Sequence, residues 1–297
     1  VHRHFFNGGA LYVNPDNPDW DPAHPENNQP AARFAALADL IELAIVLIII
    51  TLLIGGLAGP LSAQIQARRV AETQKTLEEG KEAILGYAIA NSCVINCNGS
   101  VCATLHSCDT TSCNTYCSNA AAYGWPSSAR RHYLPCPDIN NDGVEDRTGE
   151  SCTQAQGNLP WVTLGAGSQD AWGNRLQYSV TNSFANRSLG FKNGDAGTNQ
   201  VCNSAAGGCV SGDLAKDVPV VVLSHGPNGR GATSIQGTTL AAPTGTDELE
   251  NAPSDADQRF VSRVPYKPTD GSTAEAAKEF DDRVIWVPAS LLITRVC

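Results

Sequence analysis

The sequence is poor in basic residues and contains no methionine. Lys and Arg together number 20, against 30 Asp and Glu, so the net charge is −10 at pH 7. Because binding to nucleic acid requires a basic surface, this balance argues against a nucleic-acid partner. Without an initiator methionine, we expect a processed or partial chain.

Several motifs of enzymes and cofactor sites are also missing. No cysteine stands in C-x-x-C-H, so haem is not expected, and paired C-x-x-C zinc spacing is absent. Ser224 and His225 invite a hydrolase interpretation, but there is no G-x-S-x-G elbow, and adjacent strand residues point to opposite faces. We therefore predict a protein that is not an enzyme. The alternative from another class is a membrane-anchored periplasmic enzyme or binding module.

One long apolar run, LIELAIVLIIITLLIGGLAGPL at residues 40–61, carries a single charge, Glu42. A helix of about 20 apolar residues is long enough to cross a bilayer, so this run predicts a transmembrane helix. An ionisable residue inside such a run is a functional candidate, and the simpler alternative is a helix-end residue that reaches water. We predict that Glu42 acts in assembly.

The second half of this run contains residues that weaken a helix. Gly55, Gly56 and Pro60 fall within eight residues of one another. Proline removes a backbone donor, and each glycine costs about 1 kcal/mol in a helix. The sequence therefore predicts a helix that is interrupted near residues 54–61, and these residues join Glu42 as assembly candidates.

The flanking composition divides the chain into four segments. Residues 1–33 are rich in Pro and Asn and predict turns and extended chain. Residues 34–61 form the apolar helix, and residues 62–91 form an amphipathic helix in which Val70, Leu77 and Ile84 recur every seven positions. Residues 92–297 form the remaining globular part, with a Cys-rich insertion at 93–117.

The 11 cysteines, in a chain with a membrane-targeting run, indicate an oxidising compartment and disulfide bonds. The six cysteines of the insertion allow fifteen pairings, which the sequence does not resolve. Because the number is odd, Cys297 is a candidate for a free or intermolecular thiol. The disulfide candidates are Cys93, Cys97, Cys102, Cys108, Cys113, Cys117, Cys136, Cys152, Cys202 and Cys209.

A candidate calcium loop follows the insertion. The pattern D-x-N-x-D-G-x-x-D places oxygen ligands at alternate positions and a glycine at the turn, as hard Ca²⁺ requires. The EF-hand glutamate is missing from its usual place, and the alternative is an acidic loop of Asx turns. The candidate ligands are Asp138, Asn140, Asp142, Val144 and Asp146.

Three later segments predict strands. Leu176, Tyr178 and Val180 alternate as in a strand, and residues 218–223 and 283–287 are short runs rich in β-branched residues.

Two motifs resemble a known family. LIELAIVLIII resembles the N-terminal helix of type IV pilins and type II secretion pseudopilins, whose mature chains begin F-T-L-I-E-L. DAWGNRLQY, residues 170–178, is similar to the D-P-W-G-N-x-Y-x-Y element of major pseudopilins, in which Asp170 and Trp172 would fix the turn before a strand. Matching on LIEL makes Glu42 the fifth residue and Ala38 the first. Leu37 and Ala38 stand where the family has Gly and Phe, so we expect residues 1–37 to stay on the subunit.

The resemblance implies an α+β fold, in which a long N-terminal helix packs on an antiparallel sheet head with disulfide-rich loops. It also implies a homo-oligomeric helical filament that resides in the inner membrane before assembly and on the bacterial surface afterwards. Pilus assembly machinery would be a further partner. The alternative within the family is a pseudopilin of a type II secretion system.

Overall fold

The computed structural model describes residues 2–6, 9–13, 30–106, 110–188, 190–209, 213–253 and 257–296. Within these ranges, the side chains of residues 2–6, 9–13, 30–40, 53–60, 104–106, 110 and 112 are not described. The protein is a mixed α+β fold with antiparallel sheets and several disulfide bonds. It divides into two compact units, Val1–Ala67 and Arg68–Cys297.

The first unit contains a β-hairpin and the beginning of the first helix. Strands β1 (His2–Phe6) and β2 (Gly9–Val13) pair antiparallel. Helix α1 is assigned to Pro30–Ala90, so it begins in this unit and ends in the second. Proline suits the first helical position because that residue's N–H would have no partner in the helix.

The predicted interruption of α1 near residues 54–61 is wrong, because the helix is assigned without a break through Gly55, Gly56 and Pro60. Proline removes only one backbone donor, and the glycines cost about 1 kcal/mol each. These are local costs, and a helix that is already formed on both sides propagates favourably through them.

The structure describes the side chains of only part of the predicted membrane-spanning run. No helix among the residues described has a stretch that is both long and apolar enough to span a membrane. The run at residues 40–61 includes residues 53–60, whose side chains lie outside the description.

The second unit holds the remaining elements. Its strands are β3 (Ser92–Asn98), β4 (Val101–His106), β5 (Ser128–His132), β6 (Arg147–Thr148), β7 (Ser151–Cys152), β8 (Gln156–Asn158), β9 (Gln177–Val180), β10 (Asn199–Cys202), β11 (Ala215–Val218), β12 (Val220–Ser224), β13 (Arg259–Val261) and β14 (Arg283–Val287). Its helices after α1 are α2 (Thr110–Tyr123), α3 (Trp161–Leu164), α4 (Asn182–Ala185), α5 (Thr246–Glu250), α6 (Thr273–Ala276) and α7 (Ala289–Val296).

The main core lies between the second half of α1 and a four-stranded sheet. The sheet has the order β14-β12-β9-β8, and all of its pairs are antiparallel. Leu77, Ile84 and Ala88 on α1 are fully buried in the same apolar cluster as Tyr178 of β9 and Val222 of β12. Leu77 and Ile84 of the predicted stripe are therefore buried, Val70 is only partly buried, and the three predicted strands are present in this unit.

A second sheet lies beside the first and contains one parallel pair. Its order is β11-β10-β13, and β10 pairs parallel with β13. The fold is therefore not purely antiparallel, because the segment that contains α5 returns the chain to the sheet in the same direction as β10.

The Cys-rich insertion forms a small sheet, β4-β3-β5, that is covered by α2. Two disulfides join these elements, Cys97–Cys117 and Cys102–Cys113, and Cys93 is also disulfide-bonded. Elsewhere, Cys136 pairs with Cys152 and Cys202 pairs with Cys209. The predictions for Cys108 and Cys297 lie outside the described residues.

Candidate metal centre

Three acidic side chains converge next to the main sheet. Glu248 lies on α5, and Asp281 and Asp282 immediately precede β14. Each offers one carboxylate oxygen, and these oxygens lie within 4.8 Å of one another. Within the described part of the chain, this is the one group of three or more His, Cys, Asp or Glu side chains that meets this condition.

The turn after β12 holds this acidic cluster together. The backbone N–H of Asn228 donates to Oδ2 of Asp281 (3.0 Å), and its side-chain amide donates to Oε1 of Glu248 (3.1 Å). Gly226 has φ +61°, and a Cβ there would lie 2.3 Å from the backbone oxygen of Asp281. Glycine at 226 therefore allows the turn to approach the two carboxylates closely.

The other hydrogen bonds of the cluster come from neutral donors. The backbone N–H of Asp281 donates to Oε1 of Glu248 (2.8 Å), and Nδ2 of Asn251 donates to Oδ2 of Asp282 (2.8 Å). Burial, with Glu248 close by, raises the pKa of Asp281 to about 7. Burial also raises the pKa of Glu248, and it raises that of Asp282 well above the usual range for an aspartate. Burial therefore favours the protonated form of these three carboxyl groups, whereas a bound cation would favour their charged form.

Two oxygens in the cluster are left without a hydrogen-bond partner among the described residues. They are Oδ1 of Asp281 and Oδ1 of Asp282, and the side chain of Asp282 is almost completely buried. Carboxylate oxygens are the preferred ligands of Ca²⁺ and Mg²⁺. The donor set fits a hard divalent cation. Such a cation would neutralise the negative charge of carboxylates that, among the described residues, accept hydrogen bonds only from neutral groups.

His225 connects this cluster to the main sheet. Its Nε2 lies 2.8 Å from Oε1 of Gln177, a hydrogen bond in which the proton sits on Nε2 when the ring is the Nε2–H tautomer. Its Nδ1 lies 3.8 Å from Oδ1 of Asp282. Burial lowers the pKa of His225 to about 4, so the ring is neutral at physiological pH.

Ser224 and His225 do not form a nucleophile–base pair. The Ser224 hydroxyl donates to Oδ2 of Asp170 (2.6 Å), whereas His225 contacts Gln177 on a different side of the strand. The geometry agrees with the sequence argument that neighbouring strand residues point apart.

Asp170 has a structural role in the turn before β9. Its Oδ1 accepts hydrogen bonds from the backbone N–H groups of Trp172 and Asn174, each at 2.9 Å. Gly173 has φ +87°, a conformation that glycine adopts without strain. The predicted turn at DAWGN is present, and the aspartate stabilises it.

The predicted calcium loop is ordered by its own backbone. Asp138 accepts from the N–H groups of Asn141 (2.8 Å) and Gly143 (3.0 Å). Asp142 accepts from the N–H of Val144 (2.7 Å), and Asp146 accepts from that of Ile139 (2.7 Å). Asn140 accepts from the N–H of Asp142 (3.0 Å). The loop is thus a series of Asx turns, its three aspartates do not converge as the acidic cluster does, and calcium binding here remains a prediction.

No motif in the sequence predicts the acidic cluster. Glu248 and Asp281 are 33 positions apart, and no motif joins them. The only features of the sequence that point to this cluster are the two successive acidic residues before β14 and the turn HGPNG after β12.

The assembly candidates lie on α1. Glu42 is exposed in the described chain, and it is surrounded along the helix by exposed aliphatic residues. Gly55, Gly56 and Pro60 have helical backbone, and their side-chain environment lies outside the description.

The chain matches no protein-family model. Neither a curated protein nor a solved structure shows significant similarity to it. The functional proposal therefore depends on the residues and geometry of this chain.

Proposed function

We propose that the protein is the structural subunit of a type IV pilus-like filament. In this proposal, residues 34–61 pack against the same segment of neighbouring subunits. The α+β part with its disulfide bonds forms a head on the outside of the filament, packed on the second half of α1. The subunit resides in the inner membrane before assembly machinery moves it into the filament.

The observation that carries the proposal is the apolar surface of α1. Nine large aliphatic side chains between Ile41 and Leu52 are 43–69% exposed in the single chain. They surround the helix, because consecutive residues from Ile45 to Ile50 are all exposed. A helix that is apolar on every side is buried in a native protein, either in lipid or among other helices. Packing of identical helices covers this surface in a filament.

Glu42 supports assembly over permanent residence in lipid. It is the one charged residue in the run at 40–61. A carboxylate within apolar helices is costly unless a partner pairs with it. A neighbouring subunit can supply that partner in a filament, whereas hydrocarbon cannot.

The test is the Glu42→Gln variant, which keeps the size of the side chain and removes its charge. We expect it to insert into membranes normally and to abolish or strongly reduce filaments in electron micrographs of sheared cells. The matched control is Glu72→Gln on the same helix, where the glutamate is exposed outside the apolar run. Wild-type filament yield from Glu42→Gln would refute the role of this carboxylate.

A further inference from the structure

A cavity of about 450 Å³ opens beside the edge strand β8. Its volume falls within the range of about 300–1,000 Å³ that is typical of small-molecule sites. Its wall includes Gln156 and Asn158 from β8, Gln177 from β9, and His225 from the end of β12. The acidic cluster is not part of this wall, so the two sites are separate and share only the contact of His225 with Asp282.

A chain of hydrogen bonds leads from His225 into the cavity wall and ends in an unused donor. Nε2 of His225 lies 2.8 Å from Oε1 of Gln177, and Nε2 of Gln177 lies 3.5 Å from Oε1 of Gln156. Nε2 of Gln156 has no hydrogen-bond partner among the described residues, although this residue is only 8% exposed. A buried donor of this kind is stabilised by an acceptor on a bound molecule.

The charged groups that line the cavity are already satisfied. Arg175 donates to Oδ1 of Asn141 (2.8 Å) and to the backbone oxygen of Ser168 (2.9 Å), and it stacks on Trp161. Asp138 uses both oxygens to accept backbone hydrogen bonds in its own loop. The groups left for recognition are neutral amides, which favours a neutral ligand.

We propose that this cavity binds a small neutral polyhydroxylated molecule with the size and chemistry of a monosaccharide. Nε2 of Gln156 donates to one ligand hydroxyl oxygen. A hydroxyl group both accepts and donates, so it matches a wall of side-chain amides better than a carboxylate or an ammonium group does. The buried Asp138 carboxylate disfavours anions at the same place.

The proposal is tested with the full chain in a zwitterionic detergent that has no sugar headgroup. The neutral probes are D-glucose, D-galactose and N-acetyl-D-glucosamine, and the charged probes are glucose 6-phosphate and glucosamine. Binding is followed by saturation-transfer difference NMR. We expect saturable binding of at least one neutral probe, and weaker binding of its charged counterparts.

Two variants test the role of Gln156. Gln156→Ala removes the donor, and Gln156→Glu keeps the size of the side chain but replaces the donor with an acceptor. We expect both to weaken binding by about tenfold, the usual effect of losing one buried hydrogen bond to a ligand. Gln236→Ala, at an exposed glutamine outside the cavity wall, should bind as the wild type does.

The wild-type protein provides a test that does not depend on the variants folding. The side-chain amide signal of Gln156 should shift on addition of the neutral probe, and the signal of Gln236 should not. The proposal is overturned if no neutral probe shifts the Gln156 signal, or if glucose 6-phosphate binds more tightly than glucose. Equal binding by folded Gln156→Ala would overturn it as well.

Discussion

At the scale of single residues, burial sets the chemistry of the acidic cluster. Asp281 has its pKa raised to about 7, so the folded protein keeps a proton that the unfolded chain loses near pH 4. Its contribution to the free energy of unfolding therefore decreases as pH rises through this window. His225, with its pKa lowered to about 4, contributes in the opposite direction between pH 4 and its unfolded value of 6.5.

The raised pKa of Asp281 gives a prediction for Asp281→Asn. The amide keeps an acceptor for the N–H of Asn228 and removes the buried charge, so the variant should lose the part of the decrease in stability toward neutral pH that Asp281 causes. We expect it to be more stable than the wild type by about 1–2 kcal/mol at pH 8 without divalent cations, because one pKa unit corresponds to about 1.4 kcal/mol. Urea denaturation from pH 4 to pH 8 measures this difference. A variant that is less stable than the wild type at pH 8 would contradict the account.

Cation binding distinguishes the acidic cluster from the loop at residues 138–146. If Ca²⁺ binds the cluster, added Ca²⁺ should raise the melting temperature at pH 7.5, and EDTA should reverse the effect. At 100 times the dissociation constant, the added stability is about 2.7 kcal/mol. Asp282→Asn should remove this response, whereas Asp142→Ala in the loop should keep it. The opposite pattern would assign the cation to the loop. No response to Ca²⁺ in the wild-type protein would contradict both sites.

At the scale of elements, the heptad spacing on α1 predicted which face is buried. Leu77, Ile84 and Ala88 are fully buried, whereas Ile89, five positions after Ile84, is 53% exposed. The spacing of seven specifies one line along the helix, and position 89 is rotated away from that line. Tertiary contacts, which are not local, decide the edge of the stripe.

The two isoleucines provide a matched pair of substitutions. Ile84→Ala should destabilise the protein by about 3 kcal/mol, because it removes buried methyl groups and leaves a cavity in the main core. Ile89→Ala should change stability by less than about 0.5 kcal/mol, because the side chain is largely exposed. Chemical denaturation of both variants gives the comparison. Similar losses from the two would place the packed face of α1 elsewhere.

The sequence predicted elements that local residues determine. Strands β9, β12 and β14 follow from short apolar runs, and the turn at Asp170 follows from a side chain that bonds the backbone two and four residues later. The disulfide pairs and the acidic cluster were not predicted, because they depend on which distant elements become neighbours. The interruption predicted near Pro60 is absent from α1, because the local costs of glycine and proline do not outweigh helix propagation from both sides.

At the scale of the whole molecule, the chain combines an apolar run with an excess of acidic residues elsewhere. The net charge is −10, and the run at residues 40–61 contributes only one acidic residue to it. In the proposed filament, the apolar helices of neighbouring subunits attract one another, and their like-charged heads repel one another. The two effects respond differently to ionic strength, because salt screens exposed charges and leaves apolar packing largely unchanged or slightly stronger.

Filament assembly should therefore be promoted by salt. Raising NaCl from 10 mM to 300 mM shortens the screening length from about 30 Å to less than about 10 Å, which reduces repulsion between heads. We expect the concentration of unassembled subunit at equilibrium to fall severalfold, as measured by sedimentation of filaments. Glycine at matched osmolality, which has no net charge and does not screen charges as salt does, should have no such effect on the head repulsion. If salt instead dissolves the filaments, exposed ion pairs between subunits would dominate their stability, and burial of the apolar helix would not be the main driving force for assembly.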